Sequence, residues 1–224
     1  MQLENPKVVK ARIAPGSQFM ARKGAMLFYT GDVRFIPHSM GGAGGGMGGM
    51  LSQAAGTAGR MLQGEHVALM SVEGDGEAYF GRAGLHVDII MVDSGAQLTV
   101  EASRLLAYEG YLQTSIVPLS SSGGVRGMVR GAVTGQGMFT SQISGQGAVA
   151  VLSHGGTIQL EVGPGRPSII VDPQAYVAHR GPVQVDLSAN VGLRDMVGRG
   201  SGEAMQLRLS GQGTVWVQAS EKKF

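Results

Sequence analysis

The sequence predicts an all-β protein made of three tandem copies of one β unit, and two repeated motifs carry this prediction. The first is Tyr/His-x-Gly within an alternating apolar segment, centred on Tyr29, Tyr108 and His179. The second is Gly-x-Gly ahead of another alternating segment, at residues 74–76, 145–147 and 211–213. A unit that recurs along a chain constrains the architecture before any single residue is interpreted.

Around the first motif, apolar residues alternate with the two-residue period of a strand that buries one face. In the first copy this face carries Leu27, Tyr29 and Val33. The other copies place these residues in the same phase: Leu106, Tyr108, Leu112, Val177, His179 and Val183. We therefore expect this face to be buried in all three copies. His179 stands where the other copies have tyrosine, so we expect a buried, hydrogen-bonded ring.

The Gly-x-Gly motif predicts a bulge or a place where two backbones cross closely, because it enters a strand. A nucleotide-binding loop is the competing interpretation. No copy supports it, since none has the full glycine fingerprint that opens a helix or the lysine of a phosphate-binding loop.

Each unit opens with a further predicted strand that ends at a glycine turn, at residues 10–13, 89–92 and 158–162. The predicted units are residues 1–84, 85–155 and 156–224. A unit too small to bury its own sheet must pack against its copies. We therefore predict one compact body in which the units close about a pseudo-threefold axis, an arrangement that limits exposed sheet edges.

Composition limits the function classes. The 38 glycines among 224 residues show no collagen period and indicate tight turns. The chain has no cysteine, which excludes disulfides, thiolate zinc sites and cysteine nucleophiles. Its formal charge is +2, without the clustered basic residues that phosphate-driven nucleic-acid binding needs. The first residues do not form a secretory signal, so we expect a cytoplasmic protein.

The largest difference between the units is an insertion near residues 40–59 of the first unit. Nine glycines between Ser39 and Gly59 argue against a transmembrane helix. Two interpretations remain, a mobile loop and an adaptable apolar surface for a partner protein or a membrane. The candidate contacts of the second interpretation are Met40, Met47, Met50 and Leu51.

The histidines do not show the spacing of a metal site. His86 and Asp88 would share one strand face, but the further histidines and the acidic residue of a metal-binding double-stranded β-helix are missing. We expect a solvated strand end there. His38, His66 and His154 fall at predicted turns or strand starts, where we expect surface positions.

No arrangement typical of catalysis recurs either. Glu101 and Asp172 match Arg22 in register, so the three units share no carboxylate for acid–base chemistry. No glycine-flanked serine joins a strand to a helix as a nucleophile elbow does. We expect no enzyme activity and no catalytic, cofactor-binding or metal-binding residue.

Three segments together resemble the altered inheritance of mitochondria protein 24 family. They are Gly64-Glu65 ahead of Gly74-Asp75-Gly76, then Leu105-Leu106-Ala107-Tyr108, then Gly202-Glu203 followed by Gly211-Gln212-Gly213-Thr214-Val215-Trp216-Val217-Gln218. The resemblance covers nearly the whole chain. The middle copy departs from it with Gly135-Gln136-Gly137-Met138, so a role of Glu65 or Glu203 would not be threefold.

The resemblance implies three shortened double-stranded β-helix units similar to the trp RNA-binding attenuation protein subunit, arranged about a pseudo-threefold axis. It implies no known catalytic residues. Eukaryotic members are linked to mitochondrial inner-membrane organisation, and bacterial members have no agreed activity.

The favoured hypothesis is a non-enzymatic scaffold or interaction protein that binds a protein partner, associates with itself, or lies at a membrane surface. The alternative is a ligand- or nucleic-acid-binding module, because a related fold binds RNA. Its candidate contacts are the arginines near the connections: Arg60, Arg126, Arg130, Arg194 and Arg199. The oligomeric state is not determined by the sequence.

Overall fold

Antiparallel strands make up almost all of the structure, a computed structural model that describes residues 1–38, 68–118, 139–189 and 205–221. In chain order the strands are β1 (Gln2–Asn5), β2 (Val8–Ile13), β3 (Phe19–Arg22), β4 (Met26–His38), β5 (Leu69–Phe80), β6 (His86–Val92), β7 (Gln97–Glu101), β8 (Leu105–Pro118), β9 (Phe139–Ser153), β10 (Thr157–Val162), β11 (Ile169–Val171), β12 (Tyr176–Arg180), β13 (Val183–Ala189), β14 (Met205–Gly211) and β15 (Gly213–Gln218). A single 3-10 turn, Ala102–Arg104, precedes β8 in the described chain. The all-β prediction is confirmed.

Twelve of these strands form one sheet and three form another. The hydrogen-bonded order in the large sheet is β1-β2-β5-β3-β8-β9-β7-β12-β15-β10, with β4 also paired to β5 and β6 to β9. The small sheet has the order β11-β14-β13. All pairings between the described strands are antiparallel.

The expectation that Gly-x-Gly enters a strand holds for β15, which begins at Gly213, whereas β5 and β9 run through the motif. The opening strand of each predicted unit pairs with the part of these strands that follows the motif. These pairs are β2 with β5, β6 with β9, and β10 with β15. In each pair the last residue of the opening strand lies opposite the second glycine of the motif: Ile13 opposite Gly76, Val92 opposite Gly147, and Val162 opposite Gly213. The three predicted opening strands are thus confirmed, and the threefold axis stays a prediction.

The second glycines lie where two backbones cross. A Cβ atom on Gly147 would be 2.0 Å from the carbonyl oxygen of Glu109, and one on Gly76 would be 2.1 Å from that of Thr30. A Cβ atom on Gly213 would be 2.1 Å from the carbonyl oxygen of Arg180. Real Cβ atoms do not approach a backbone oxygen so closely, because interiors are packed at van der Waals contact. The predicted close crossing is confirmed.

The third Tyr/His-x-Gly segment is broken where the other two are continuous. β4 and β8 run through the motif as single strands, whereas β12 ends at Arg180 and β13 begins at Val183. Pro182 stands in the gap, at the position of Asp32 and Tyr111 in the other copies. Proline has no N–H to donate to a ladder, which accounts for the interruption.

The buried apolar residues form three clusters, and the first two take side chains from the next unit. The first cluster contains Leu106 and Ala107 of β8, which pairs with β3. The second contains Val177 and Ala178 of β12, which pairs with β7. The buried residues of the third all belong to the third unit: Val162, Val171, Tyr176, Val185, Leu207, Leu209 and Val215. In the described part of the chain, the units are therefore joined first to second and second to third.

Candidate interaction site

The contacts predicted from the sequence fall outside the described residues. This holds for the apolar set Met40, Met47, Met50 and Leu51, and for the basic set Arg60, Arg126, Arg130, Arg194 and Arg199. Both assignments stay predictions. The described residues present a different candidate, on β4.

The first part of β4 exposes three consecutive large apolar side chains. Leu27 is 51% exposed, Phe28 is 53% exposed and Tyr29 is 46% exposed. Along its length β4 pairs with β5 on one edge, and within the described ranges no strand pairs with its other edge. An uncovered strand edge with large apolar side chains is a template for another chain.

The matching residues of the second and third units are buried. Leu106 and Ala107 are 0% exposed and Tyr108 is 7% exposed, because β3 covers the edge of β8. The third set is covered by β7 and is buried in the same way: Val177, Ala178 and His179. The expectation that Leu27 and Tyr29 are buried is therefore wrong. Among the described strands, none covers β4 in the way that β3 covers β8 and β7 covers β12.

Two aromatic contacts organise the exposed side chains. The rings of Phe28 and Tyr79 stack with centroids 4.1 Å apart and planes 16° apart. Tyr29 meets Phe35 edge to face at 5.4 Å. We call Leu27, Phe28, Tyr29 and Tyr79 the β4 edge. Aromatic side chains already held by a neighbour lose little rotamer entropy on binding and are enriched at the centres of protein interfaces.

His179 is buried against Tyr176, as expected from its place in the motif. It is 7% exposed, and its Nδ1 lies 2.7 Å from the hydroxyl oxygen of Tyr176. Burial lowers the pKa of His179 to about 4. Burial, with a smaller effect from the charge of Glu101, raises the pKa of Tyr176 well above its usual value. Both groups are therefore neutral near pH 7.

This buried pair predicts a loss of stability in acid. In the unfolded chain the imidazole has a pKa near 6.5, so the unfolded state binds a proton that the folded state does not bind until about pH 4. The contribution of His179 to the free energy of unfolding is complete above about pH 6.5 and falls by about 3 kcal/mol as the pH drops toward 4. Urea unfolding of wild type and His179→Gln at pH 7.0 and 4.5 measures it. Equal pH dependence in both proteins would refute the assignment.

A second buried polar group lies between the second and third units. The guanidinium of Arg104, which is 2% exposed, donates to the side-chain oxygen of Gln218 and to the carbonyl oxygen of Gln174. Its Nε lies 3.7 Å from a carboxylate oxygen of Glu101. Burial lowers the pKa of Arg104, and Glu101 opposes this shift. The Arg104 side chain therefore links the turn between β7 and β8 to the third unit through Gln174 and Gln218.

His86 and Asp88 lie two residues apart on β6. His86 begins β6 and is partly buried, and Asp88 accepts a hydrogen bond of 3.3 Å from the hydroxyl of Ser153. In the described ranges, no three histidine or acidic residues are placed to hold a metal ion. His38 ends β4 and does not begin a strand, His154 is partly buried in the bend after β9, and His66 is outside the described residues.

A surface depression of about 350 Å³ lies where β3 meets β8. Its lining includes Arg12, Phe19, Glu109 and Tyr111. The guanidinium of Arg12 is already held there, because it donates to Asp75 at 2.6 Å and to the carbonyl oxygen of Gly76 at 2.8 Å. The basic group in this depression is therefore already paired with a carboxylate.

No helix within the described residues is long and apolar enough to cross a membrane.

Comparison with known proteins gives a family and a fold. The family model described as mitochondrial biogenesis AIM24 matches residues 1–220. The crystal structure of protein SPYM3_0169 from Streptococcus pyogenes is similar, with a TM-score of 0.69 and 18% sequence identity. That match covers 98% of this chain and 91% of the streptococcal chain. No curated protein matches the chain.

Proposed function

Because the chain belongs to the mitochondrial biogenesis AIM24 family, as its match over residues 1–220 shows, we propose that it is a non-enzymatic scaffold protein that binds another protein chain. The observation that carries this proposal is the β4 edge, where Leu27, Phe28 and Tyr29 are each about half exposed. A cytoplasmic location is part of the proposal.

The chemistry of the β4 edge fits a protein partner. An open strand edge offers backbone N–H and C=O groups to an added strand, and flanking side chains supply specificity. Here the flanking side chains are one aliphatic residue and the stacked rings of Phe28 and Tyr79. Exposed apolar residues that are contiguous, and not scattered, indicate an interaction surface.

Membrane contact and nucleic-acid binding are two further hypotheses that can be tested separately. Peripheral contact with a membrane rests on the insertion near residues 40–59, and nucleic-acid binding rests on the five arginines near the connections. Filter binding of RNA and DNA at low salt tests the second hypothesis, because phosphate contacts are strongest there. Retention of nucleic acid by the purified chain at low salt would support it, and no retention would remove it.

The size of the native complex in cell extract tests the proposed function. We expect the wild-type chain to elute from gel filtration above the mass of one chain, and Phe28→Glu to elute as one chain, because a carboxylate cannot be buried in an apolar interface without a partner. Met91→Glu is the matched control, since Met91 is 56% exposed on β6, away from the β4 edge. It should elute like wild type.

Two results would count against the proposal. One is elution of wild type as a single chain in extract. The other is an equal shift in Phe28→Glu and Met91→Glu, which would show that any added surface charge disrupts the complex. Separation of the same extract into soluble and membrane fractions tests the proposed location.

A further inference from the structure

Several described strands besides β4 pair on one side only: β1, β6, β10, β11 and β13. Of these, β11 is related to β4 by the repeats. Residues Ile169–Val171 pair with β14 on one side only among the described strands. Ile170, in the middle of β11, is 48% exposed. Among the described strands, β4 of the first unit and β11 of the third unit thus each have an uncovered edge.

The register shows that β11 is the counterpart of β3 and β7. Met20 of β3, Thr99 of β7 and Ile170 of β11 each lie opposite the residue three positions before the first glycine of Gly-x-Gly. Those opposite residues are Ser71, Gln142 and Arg208. The three strands therefore sit in the same place within their own units.

β3 and β7 use their other edges to join the next unit, and they do so in one register. Met20 lies opposite Tyr108, and Thr99 lies opposite His179. The same backbone hydrogen bond accompanies each pair. The N–H of Gly110 donates to the carbonyl oxygen of Gln18 at 3.2 Å, and the N–H of Gly181 donates to the carbonyl oxygen of Gln97 at 3.3 Å. In both cases the Tyr/His-x-Gly segment therefore pairs with the corresponding strand of the preceding unit.

Within the described ranges, β11 of the third unit pairs with no Tyr/His-x-Gly segment, and the Tyr/His-x-Gly segment of the first unit, on β4, pairs with no strand of this kind. By the shared register, the missing contact would place Ile170 opposite Tyr29 and Val171 opposite Phe28. The third apolar cluster, whose buried residues all belong to the third unit, would then receive side chains from β4, as the first two clusters receive Leu106 and Val177.

We propose that β11 of one copy of this chain pairs with β4 of a second copy, in the register Ile170 opposite Tyr29. This inference rests on the proposed function and names the partner of the β4 edge. A second copy is the occupant that the chain itself indicates, because it carries the complementary strand in the orientation already used twice. The interface joins two different surfaces, so assembly is head to tail.

Cross-linking of single-cysteine variants tests the register, since the natural chain has no cysteine. Directly opposite residues of an antiparallel pair have Cα atoms about 4.5–5.5 Å apart, within the range of a disulfide. Purified Tyr29→Cys and Ile170→Cys, one with a longer tag, are mixed and mildly oxidised. We expect the disulfide dimer to contain one chain of each kind, in excess over both dimers of like chains. Thr30→Cys with Ile169→Cys is the second pair of the same register.

Tyr111→Cys mixed with Ile170→Cys is the control, because Tyr111 is 80% exposed and is not on the β4 edge. A mixed dimer no more abundant than in this control would overturn the inference. A disulfide within one chain of the double variant Tyr29→Cys/Ile170→Cys would also overturn it, since it would show closure inside the chain. If the extract complex depends on Phe28 while no mixed dimer forms, the proposed function stands and the second-copy inference falls.

Discussion

Gly147→Ala is expected to destabilise the protein by about 3 kcal/mol or more, and to prevent folding where stability is marginal. The added Cβ would lie 2.0 Å from the carbonyl oxygen of Glu109 and 3.2 Å from a methyl carbon of Leu112. The oxygen belongs to β8, which pairs with β9 from Leu105 to Pro118, so it cannot move without breaking that ladder.

Gly163→Ala is the matched control for this substitution. Gly163 lies after β10, where an added Cβ would have no neighbouring atom within 4 Å, and its φ is not in the left-handed region. Its replacement should change the free energy of unfolding by about 0.5 kcal/mol or less. Chemical denaturation of both variants measures the difference. Equal stability of the two variants would show that the strands can separate at Gly147 without cost.

Arg104→Met is expected to destabilise the protein by about 3–5 kcal/mol. The substitution keeps the apolar length of the side chain but removes the cation that lies 3.7 Å from the carboxylate of Glu101, a residue that is 8% exposed. The charge of Arg22 and the hydrogen bonds from Ser103 still act on that carboxylate. The substitution also removes the donors to Gln218 and to the carbonyl oxygen of Gln174. Breaking one side of a buried pair costs more than the pair itself contributes, because the remaining charge stays buried.

Arg12→Met is the control for Arg104→Met. Arg12 also pairs with a carboxylate, Asp75, at 2.6 Å, but the two side chains are 60% and 59% exposed. Exposed pairs of this kind contribute about 1 kcal/mol or less. Thermal and urea unfolding of both variants compare the two sites. A loss in Arg104→Met no larger than that in Arg12→Met would contradict the structural role of Arg104.

The strands and the glycine crossings could be predicted from local sequence. Alternation places Leu106, Tyr108 and Leu112 on one face, and that face is buried. A Gly-x-Gly motif beside an alternating apolar segment has few uses other than a bulge or a close backbone approach, so the close approach at Gly147 followed from the local sequence.

The open edge could not be predicted from alternation, because exposure depends on a neighbouring strand far away in sequence. Leu27 and Leu106 have the same local pattern, yet one is 51% exposed and the other 0% exposed. One signal was present in the repeats. Phe28 stands where the covered copies have Ala107 and Ala178, so the first copy carries a large ring where the others carry a methyl group.

The buried contacts of Arg104, by contrast, had no sequence signal. Arg104 reaches Gln174 and Gln218, which are 70 and 114 residues further along the chain. An arginine before a predicted strand is ordinarily a surface residue. Only the pairing of β7 with β12 and of β12 with β15 brings these side chains together.

Light scattering of two single variants, separately and mixed, tests the central claim that the β4 edge is an interaction surface for another chain. Phe28→Glu blocks one surface and Ile170→Glu blocks the other, while each variant keeps the surface that the other has lost. Each variant alone should have the mass of one chain, and the equimolar mixture should have the mass of two. Shortening residues 40–59 should leave the assembly of the otherwise wild-type chain unchanged. A mixture that stays at the mass of one chain, while the wild type assembles, would contradict the account.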